Sequence, residues 1–475
     1  MSEEKKKQKP AIIPIILSAI SAVLSFGFSF LVAKPLGPEL YGQIEYYIGI
    51  ISVTSILLAF GLPNFLNKET QFHSDKKKFF SNAVAIFSII SAIGIPIFLL
   101  IGYFLLGGLN KNIPLVFLIY IASICTSLST LVASFYIGNK EPSKSIIFTT
   151  IIPHFVILVV SLVFLITKKE ELPNYYLYIS LLAYLIGVAP CLIKNVRRCK
   201  ISMSKKDMSL ILSFYAITLT SSIYSELSKI LQGEINKNFS TVGILGVSIK
   251  IISIVSIFLG VISKITMPEF ARYAKEKNYD KMITYYQKVT RVNSYVVIPF
   301  LLAIGIQGKK VLGIFGDEYT AHMWIFIFLV ASSFINHVTG PTGTMLLMSE
   351  HEKYEIFNGV LKLVLYLAIG IPFGLNYVWG LPLAIFIADG LINFVKFFEV
   401  YHVTKKHPYT LKMVIQVLVL SAISSGVFFL LNLIDNFYVW IISNIVVGVV
   451  LILLFFILSP YKEDKEFVFK NHEED

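Results

Sequence analysis

Long runs of apolar residues, separated by short polar segments, recur along nearly the whole chain. A bilayer hydrocarbon core roughly 30 Å thick needs about 20 apolar residues per helix, so each run predicts one membrane-spanning helix. The pattern therefore predicts an all-α polytopic membrane protein with about fourteen spans. The spans lie near residues 11–33, 43–63, 80–106, 114–137, 145–167, 175–194, 208–231, 241–267, 292–314, 321–346, 355–376, 377–401, 409–433 and 437–459.

Composition and charge agree with this pattern. Of 475 residues, 56% are hydrophobic and 15% charged, and the mean hydropathy of +0.74 excludes a soluble globular protein. Most lysines and arginines fall in alternate loops, which predicts a multi-pass protein with both termini in the cytoplasm. The net charge of +12 then reflects topology, and no nucleic-acid partner is indicated. The apolar stretch after "MSEEKKKQKP" is too long for a signal peptide and is interpreted as a signal anchor.

Internal likeness predicts two related lobes. The stretch beginning "YIGNKEPSKSIIFTT" resembles the one beginning "LLMSEHEKYEIFNGV", six spans later. Lobes related in this way share one orientation, about an axis along the membrane normal. We expect two pseudo-symmetric six-helix lobes at 1–200 and 208–402, followed by two C-terminal helices and a cytoplasmic tail at 409–475.

The longest segment outside the spans is 268–291, on the predicted cytoplasmic side. Its apolar residues, among them Met282, Tyr286 and Val289, recur at helical spacing opposite lysines. This pattern favours a helix lying on an anionic membrane surface. A connector between lobes with one solvated face is the alternative.

Among the lysines of the predicted spans we single out Lys229, Lys250 and Lys362. A charge there costs at least about 2.5–3.5 kcal/mol and normally faces the bundle interior or a watery cavity. Lys229 follows Glu226 by one helical turn, so a structural ion pair is the alternative to ligand binding. Lys362 lies near enough to the inner end of its span to extend toward headgroups instead.

Lys250 lies near the middle of its span, on a face that also carries Gly243, Gly246 and Ser253. A small, polar face suits the wall of a cavity, and a lysine buried against a carboxylate is the alternative. Lys34 and Lys396 lie nearer the predicted mouths. A cavity containing all five lysines would select an anion such as a lipid diphosphate. The candidate substrate-binding residues are therefore Lys250, Lys229, Lys362, Lys34 and Lys396, and the candidates for ion coupling or pairing are Glu45, Glu226 and Asp389.

Enzymatic chemistry is not indicated by any motif. The sequence contains no phosphate-binding loop, metal-ligand cluster or nucleophile elbow, so we expect no catalytic residues, metal or cofactor. Cys125, Cys191 and Cys199 show no metal-binding or disulfide spacing. His154 and His337 are interpreted as hydrogen-bonded packing residues rather than proton relays.

Four blocks of sequence resemble a known family of membrane proteins. They are "LVAKPLGPELYGQIEYYIGIISVTSILLAFGLPNFLNKE", "GEINKNFSTVGILGVSIKI", "MPEFARYAKEKNYDKMITYYQKV" and "VLGIFGDEYTAHMWIFIFLVASSFINHVTGPTGTMLLMSEHEKYEIF". In this order they resemble the Wzx-type polysaccharide repeat-unit flippases of the multidrug/oligosaccharidyl-lipid/polysaccharide (MOP) exporter superfamily. The resemblance implies two six-helix lobes, two extra helices and a basic residue at the position of Lys250. Lys229 departs from it, because related sequences often have an acidic residue there.

The resemblance also implies a function. It predicts a non-enzymatic flippase of the bacterial cytoplasmic membrane that moves undecaprenyl-diphosphate-linked oligosaccharide repeat units from the inner to the outer leaflet. The product would serve a capsule, O-antigen, exopolysaccharide or teichoic-type polymer. Expected partners are the lipid-linked glycan, membrane lipids, glycan polymerases and glycosyltransferases. The alternatives are a drug or organic-cation antiporter of the same superfamily and a membrane glycan polymerase.

Overall fold

The computed structural model describes residues 12–104, 106–109, 112–197, 203–349, 351–461 and 464. Every regular element within these ranges is helical. Contacts divide the chain into two compact units, Met1–Gly243 and Ile244–Asp475. Each unit has its own buried apolar core.

The first unit is a bundle of long helices joined by short connections. A π-helical turn at Ile147–Ile151 joins α5 to α6 just before Pro153, whose missing N–H weakens the helical hydrogen-bond pattern there. The α-helices are α1 Ile12–Ala59, α2 Leu62–Glu69, α3 Lys76–Phe104, α4 Ile113–Gly138, α5 Pro142–Ile146, α6 Ile152–Thr167, α7 Leu172–Asn195 and α8 Lys205–Asn236. Single 3₁₀ turns occupy Thr70–Phe72, Gly107–Leu109 and Lys169–Glu171.

Helix α1 contains a break that separates the first two predicted spans. Gly37 has φ 74° and ψ 168°, outside the helical region, and Pro35 and Pro38 flank it. Glycine adopts a positive φ at little cost, and neither proline can donate a backbone hydrogen bond. The chain therefore turns at Gly37 between two membrane-length segments.

Helix α4 is the central helix of the first unit. In its most apolar window 56% of the residues are buried, against 17% for α3. Small hydroxyl side chains let α1 approach it closely: Ser55 donates to the Ser123 carbonyl at 3.0 Å, and Ser127 donates to the Ser55 carbonyl at 2.9 Å. Interhelical contacts through small residues are typical of packing inside membranes.

The second unit begins within α9 and is centred on α10, in whose apolar window 61% of the residues are buried. A 3₁₀ turn occupies Asp317–Thr320. The α-helices are α9 Phe239–Lys275, α10 Tyr279–Ile306, α11 Gly308–Gly313, α12 Met323–Val338, α13 Thr342–Met348, α14 Glu352–Asn376, α15 Gly380–Thr404, α16 Leu411–Leu431 and α17 Phe437–Ile457.

The tenth predicted span is a broken helix. Helices α12 and α13 meet at 45°, at Pro341. The break leaves the Thr339 carbonyl outside the helical pattern, where it accepts hydrogen bonds from the hydroxyls of Tyr286 and Tyr409. A backbone acceptor at membrane depth needs such a partner, so protein side chains stabilise this break.

The surface helix predicted for 268–291 is wrong. The segment comprises the end of α9, a short turn and the start of α10. Met282, Tyr286 and Val289 are fully buried, and the first two belong to a core cluster that also contains Met345 and Val400. The segment is helical at the predicted spacing, but its apolar face packs against α13 and α15 instead of lipid.

The described residues contain ten helices long and apolar enough to cross a membrane, or eleven with α12 and α13 taken as one bent span. Helix α1 is counted once although it carries two predicted spans. The other two predicted spans lie on α9, whose described apolar part is Phe239–Val255, and on α8, which carries Glu226, Lys229 and Glu234. The all-α polytopic fold is thus confirmed. The predicted lobes divide ahead of α8, whereas the contacts divide after it, and the lobe boundaries stay a prediction.

Candidate functional site

Lys229 is held by two carboxylates inside the first unit. Its Nζ lies 3.0 Å from Oε2 of Glu45 on α1 and 3.1 Å from Oε2 of Glu226 on α8. The side chains of Lys229 and Glu45 are 5% and 1% exposed, and that of Glu226 is 27% exposed. The pairing of Lys229 with Glu226 expected from their spacing is present, and Glu45 is added to it by the packing of two helices. We refer to Glu45, Glu226 and Lys229 as the triad.

Close packing of α1 on α8 and on the start of α9 positions the triad. A Cβ added at Gly49 would lie 3.1 Å from the Lys229 Cβ, and one at Gly42 would lie 1.8 Å from the Phe239 carbonyl oxygen. Only glycine at position 42 permits this approach. Tyr41, one turn before Glu45, is fully buried and donates its hydroxyl to Glu45 Oε1 at 2.8 Å.

The triad contains two acids and one base. With all three groups ionised, two carboxylates face one ammonium. A carboxylate in a largely buried position is neutralised by uptake of a proton or by pairing with a cation. The arrangement can therefore accept a proton or exchange partners with an incoming ion.

Two further carboxylates of the first unit have hydrogen-bond partners outside the triad, and the sequence reasoning missed both. Glu234 accepts hydrogen bonds from the Tyr46 hydroxyl and, at 3.0 Å, from the Gly107 backbone N–H. Glu39 accepts from the backbone N–H and hydroxyl of Ser240, each at 2.8 Å. Both glutamates lie at helix ends, where acidic residues are ordinary, so no signal in the sequence set them apart.

In the second unit the candidate lysines also face carboxylates. Lys362 Nζ on α14 lies 2.5 Å from Asp389 Oδ1 on α15, and the Asp389 side chain is 3% exposed. The hydroxyl of Ser332 on α12 donates to the other carboxylate oxygen. Lys396 Nζ lies 2.9 Å from Glu355 Oε1.

These two pairs form a regular ladder. Glu355 precedes Lys362 by about two turns on α14, and Asp389 precedes Lys396 by about two turns on α15. The tight connection between α14 and α15 makes them antiparallel, so the acid of each helix meets the base of the other. A third carboxylate, that of the buried Glu399 on α15, lies close to Glu355 and Lys396.

Lys250 and Lys34 complete the five candidate lysines. Lys250 is half-buried on α9, beside the buried Ile251 and Ile252, and its carbonyl accepts a hydrogen bond from Ser253 at 2.7 Å. Lys34 is exposed on α1, just before the break at Gly37. The binding of substrate by these five lysines stays a prediction.

In the described residues, His154, His337 and the cysteines do not form a further binding or metal site. His154 Nδ1 lies 2.7 Å from the Thr150 carbonyl and His337 Nδ1 lies 2.7 Å from the Ser333 carbonyl, as expected for packing residues. Cys125 and Cys191 are buried free thiols, and Cys199 lies outside the described residues. In that part of the chain, no three His, Cys, Asp or Glu side chains are arranged to hold a metal ion.

Comparison with solved structures identifies the fold. The structure of the lipid II flippase MurJ in an inward closed conformation matches with a TM-score of 0.75 and 17% identity, over 94% of this chain and 98% of that one. An inward-facing multidrug resistance MATE family transporter of the MOP superfamily matches with a TM-score of 0.65 and 13% identity, over 84% of this chain and 100% of that one. At these identities the likeness shows the fold.

Comparison of sequences identifies the family. Among curated proteins nothing matches this sequence. The family described as polysaccharide biosynthesis protein matches residues 9–274, more than half of the chain. The resemblance drawn from the four sequence blocks is thus confirmed, and the protein is a polytopic member of the polysaccharide biosynthesis protein family with the fold of MOP superfamily transporters.

Proposed function

We propose that this protein is a flippase for undecaprenyl-diphosphate-linked oligosaccharide repeat units. The observation that carries the proposal is the family match over residues 9–274, which includes α1, the triad and Lys250. The lipid II flippase fold supports a lipid-linked substrate. The flippase works in the bacterial cytoplasmic membrane, with both termini in the cytoplasm, and supplies a surface polysaccharide such as a capsule, O-antigen, exopolysaccharide or teichoic-type polymer.

The substrate combines two parts with opposite solvent requirements. A polyprenyl tail remains in the hydrocarbon, whereas a glycan and a diphosphate cannot cross it without polar partners. Lysines within spans can supply polar partners for the diphosphate, because the compact positive charge of an ammonium binds phosphate oxygens. Lys250, Lys229, Lys362, Lys34 and Lys396 are the proposed diphosphate contacts.

Three of these lysines already have a carboxylate partner, which suggests an exchange mechanism. A lysine ammonium that exchanges its carboxylate partner for a diphosphate still has a negative partner. The free-energy cost of burying an unpaired ammonium is therefore avoided. The carboxylate that the lysine leaves then takes up a proton and becomes neutral. In this way Glu45, Glu226 and Asp389 couple substrate binding to protonation.

The proposed substrate indicates which class of enzyme acts before transport and which acts after it. Glycosyltransferases supply the lipid-linked unit on the inner side, and a glycan polymerase consumes it on the outer side. The protein itself forms and breaks no covalent bond, and transport proceeds by alternating exposure of the diphosphate site to the two leaflets.

Substitution of Lys250 tests the proposal. The protein is reconstituted into vesicles with a fluorescent undecaprenyl-diphosphate monosaccharide, and transfer between leaflets is followed by quenching with a membrane-impermeant reductant. Lys250→Ala is expected to lower the transfer rate by about tenfold or more, because a charge-assisted contact to phosphate is lost. Lys250→Arg is expected to retain much of the rate.

The matched control is Lys281→Ala, which removes an exposed lysine near the start of α10. It is expected to leave transfer unchanged. Equal rates for Lys250→Ala and the unsubstituted protein would remove Lys250 from the diphosphate site. No transfer by the unsubstituted protein would contradict the flippase proposal itself.

Organic-cation antiport is the second candidate, because the two carboxylates of the triad suit a cation and the fold is shared with a multidrug transporter. Efflux of a cationic dye distinguishes the two. Dye efflux that is lost in Glu45→Gln, together with absent lipid transfer in the unsubstituted protein, would favour the antiporter.

A further inference from the structure

Ser459 and Asp464, beyond the last helix, both contact Tyr295 on α10. Helix α17 ends at Ile457, yet Ser459 is 7% exposed and Asp464 is fully buried. A carboxylate buried without partners is strongly disfavoured, so the surroundings of Asp464 must compensate its charge.

Arg291 on α10 supplies that compensation. Its Nη2 donates to Asp464 Oδ1 at 2.7 Å, and its Nε lies 3.0 Å from Oδ2 and 3.2 Å from Oδ1. This is the forked geometry in which a guanidinium binds a carboxylate most strongly. Arg291 is 6% exposed, and its Cζ lies 3.8 Å from the centre of the Tyr461 ring, at cation–π distance.

Polar groups from α10, from α16 and from the segment after α17 complete the site. The Tyr295 hydroxyl on α10 donates to Asp464 Oδ2 at 2.7 Å, and Ser459 Oγ, just past α17, lies 3.0 Å from the same oxygen. Gln416 on α16 donates to the Tyr295 hydroxyl oxygen at 2.7 Å. The carboxylate of Asp464 is therefore linked to α10 and α16 as well as to the end of α17.

Helices α16 and α17 contact α10 through a small buried apolar cluster that includes Phe428 and Phe455, and through hydrogen bonds of Gln307 at the far end of α10. Only 17% and 22% of their apolar windows are buried, and the exposed remainder is as hydrophobic as lipid. In a bilayer the hydrophobic effect does not drive helices together, so interhelical hydrogen bonds and close packing decide their position.

Packing between α10 and α16 is incomplete next to this network. A cavity of about 210 Å³ lies there, with Arg291, Tyr295 and Gln416 among its polar lining residues and Val417 and Leu420 among its apolar ones. Since close packing is missing at this level, the polar network has a larger part in fixing the two helices.

We infer that Ser459, Tyr461 and Asp464 form a strap that locks α16 and α17 onto α10. The ion pair between Asp464 and Arg291 closes the strap. The lock concerns the placement of the two C-terminal helices, goes beyond the proposed transport function and does not depend on it.

The test measures stability and helix position in the full-length protein. Asp464→Ala removes the forked ion pair with the buried Arg291, so the melting temperature in detergent is expected to fall by about 10 °C. Spin labels at the exposed positions Lys281 and Lys412, near the starts of α10 and α16, report the placement of the helices. One narrow distance distribution is expected in the parent protein and a broad one in Asp464→Ala.

A double variant distinguishes the loss of the strap from the cost of leaving one charge buried. Arg291→Met with Asp464→Leu removes both charges, so the melting temperature is expected to recover, while the distribution stays broad because the hydrogen bonds are gone. Asp464→Asn, a milder change, is expected to lie between the parent and Asp464→Ala. Glu269→Ala disrupts the exposed pair with Arg272 on α9 and is the matched control, expected to change neither measurement. A parent-like narrow distribution in the double variant, or unchanged stability in both Asp464 variants, would overturn the inference.

Discussion

The number of carboxylates that contact a buried lysine, such as Lys229, determines how a substitution there changes stability. Lys229 contacts two carboxylates from two helices, whereas Lys362 pairs with Asp389 and Lys396 pairs with Glu355. Removing the base from a buried cluster leaves acids unpaired, while removing one of two acids leaves the base paired. The triad should therefore respond asymmetrically to substitution.

Lys229→Met is expected to lower the free energy of unfolding by about 3–5 kcal/mol, because Glu45 is left buried without its ammonium. Glu226→Gln is expected to change it by about 1 kcal/mol or less, since Lys229 keeps Glu45 and the residue at 226 is partly exposed. Thermal unfolding of the two purified variants checks both values. A loss in Glu226→Gln as large as that in Lys229→Met would contradict the described charge balance.

Helices α14 and α15 show, at the scale of whole elements, how acids on one helix pair with bases on another. Each helix carries an acid and a base about two turns apart, and antiparallel pairing matches them in reverse order. Each of the two ion pairs joins an acid of one helix to a base of the other, so the ladder stabilises the packing of the two helices. The triad differs, because two of its carboxylates face one ammonium.

Reversal of a rung tests the ladder. Asp389→Ala is expected to destabilise the protein by about 3–5 kcal/mol, and Lys362→Asp combined with Asp389→Lys to recover part of that loss by restoring an ion pair. The exposed pair of Lys406 with Asp280 is the control, and Asp280→Ala is expected to cost less than about 1 kcal/mol. The measurement is thermal unfolding, and no recovery in the reversed variant would mean that the pair does not stabilise the two helices.

Most elements could be predicted from the sequence, because a membrane-spanning helix is specified by its own apolar length. The segment 268–291 shows the limit. Its helical period was correct, yet the apolar face of Met282 and Tyr286 is covered by protein. Local periodicity reports that a face is buried and does not report what buries it.

Topology is the prediction that belongs to the whole molecule. With both termini inside, the turn at Lys237, between α8 and α9, lies outside and the turn at Lys277, between α9 and α10, lies inside. In a protein with Cys199 replaced by serine, Lys237→Cys is expected to react in intact cells with a membrane-impermeant maleimide. Lys277→Cys is expected to react only after the membrane is opened, and the opposite pattern would invert the orientation.

The sequence by itself determined the all-α polytopic class and the family, because apolar length and short motifs are local properties. It also selected Lys229, Lys250 and Lys362, since a charge within an apolar run is visible without any fold. Only the tertiary structure decided which carboxylate meets which lysine. Glu45 and Lys229 are far apart in the chain, and their contact depends on the rotation and close approach of α1 and α8, which arise from packing over both helices.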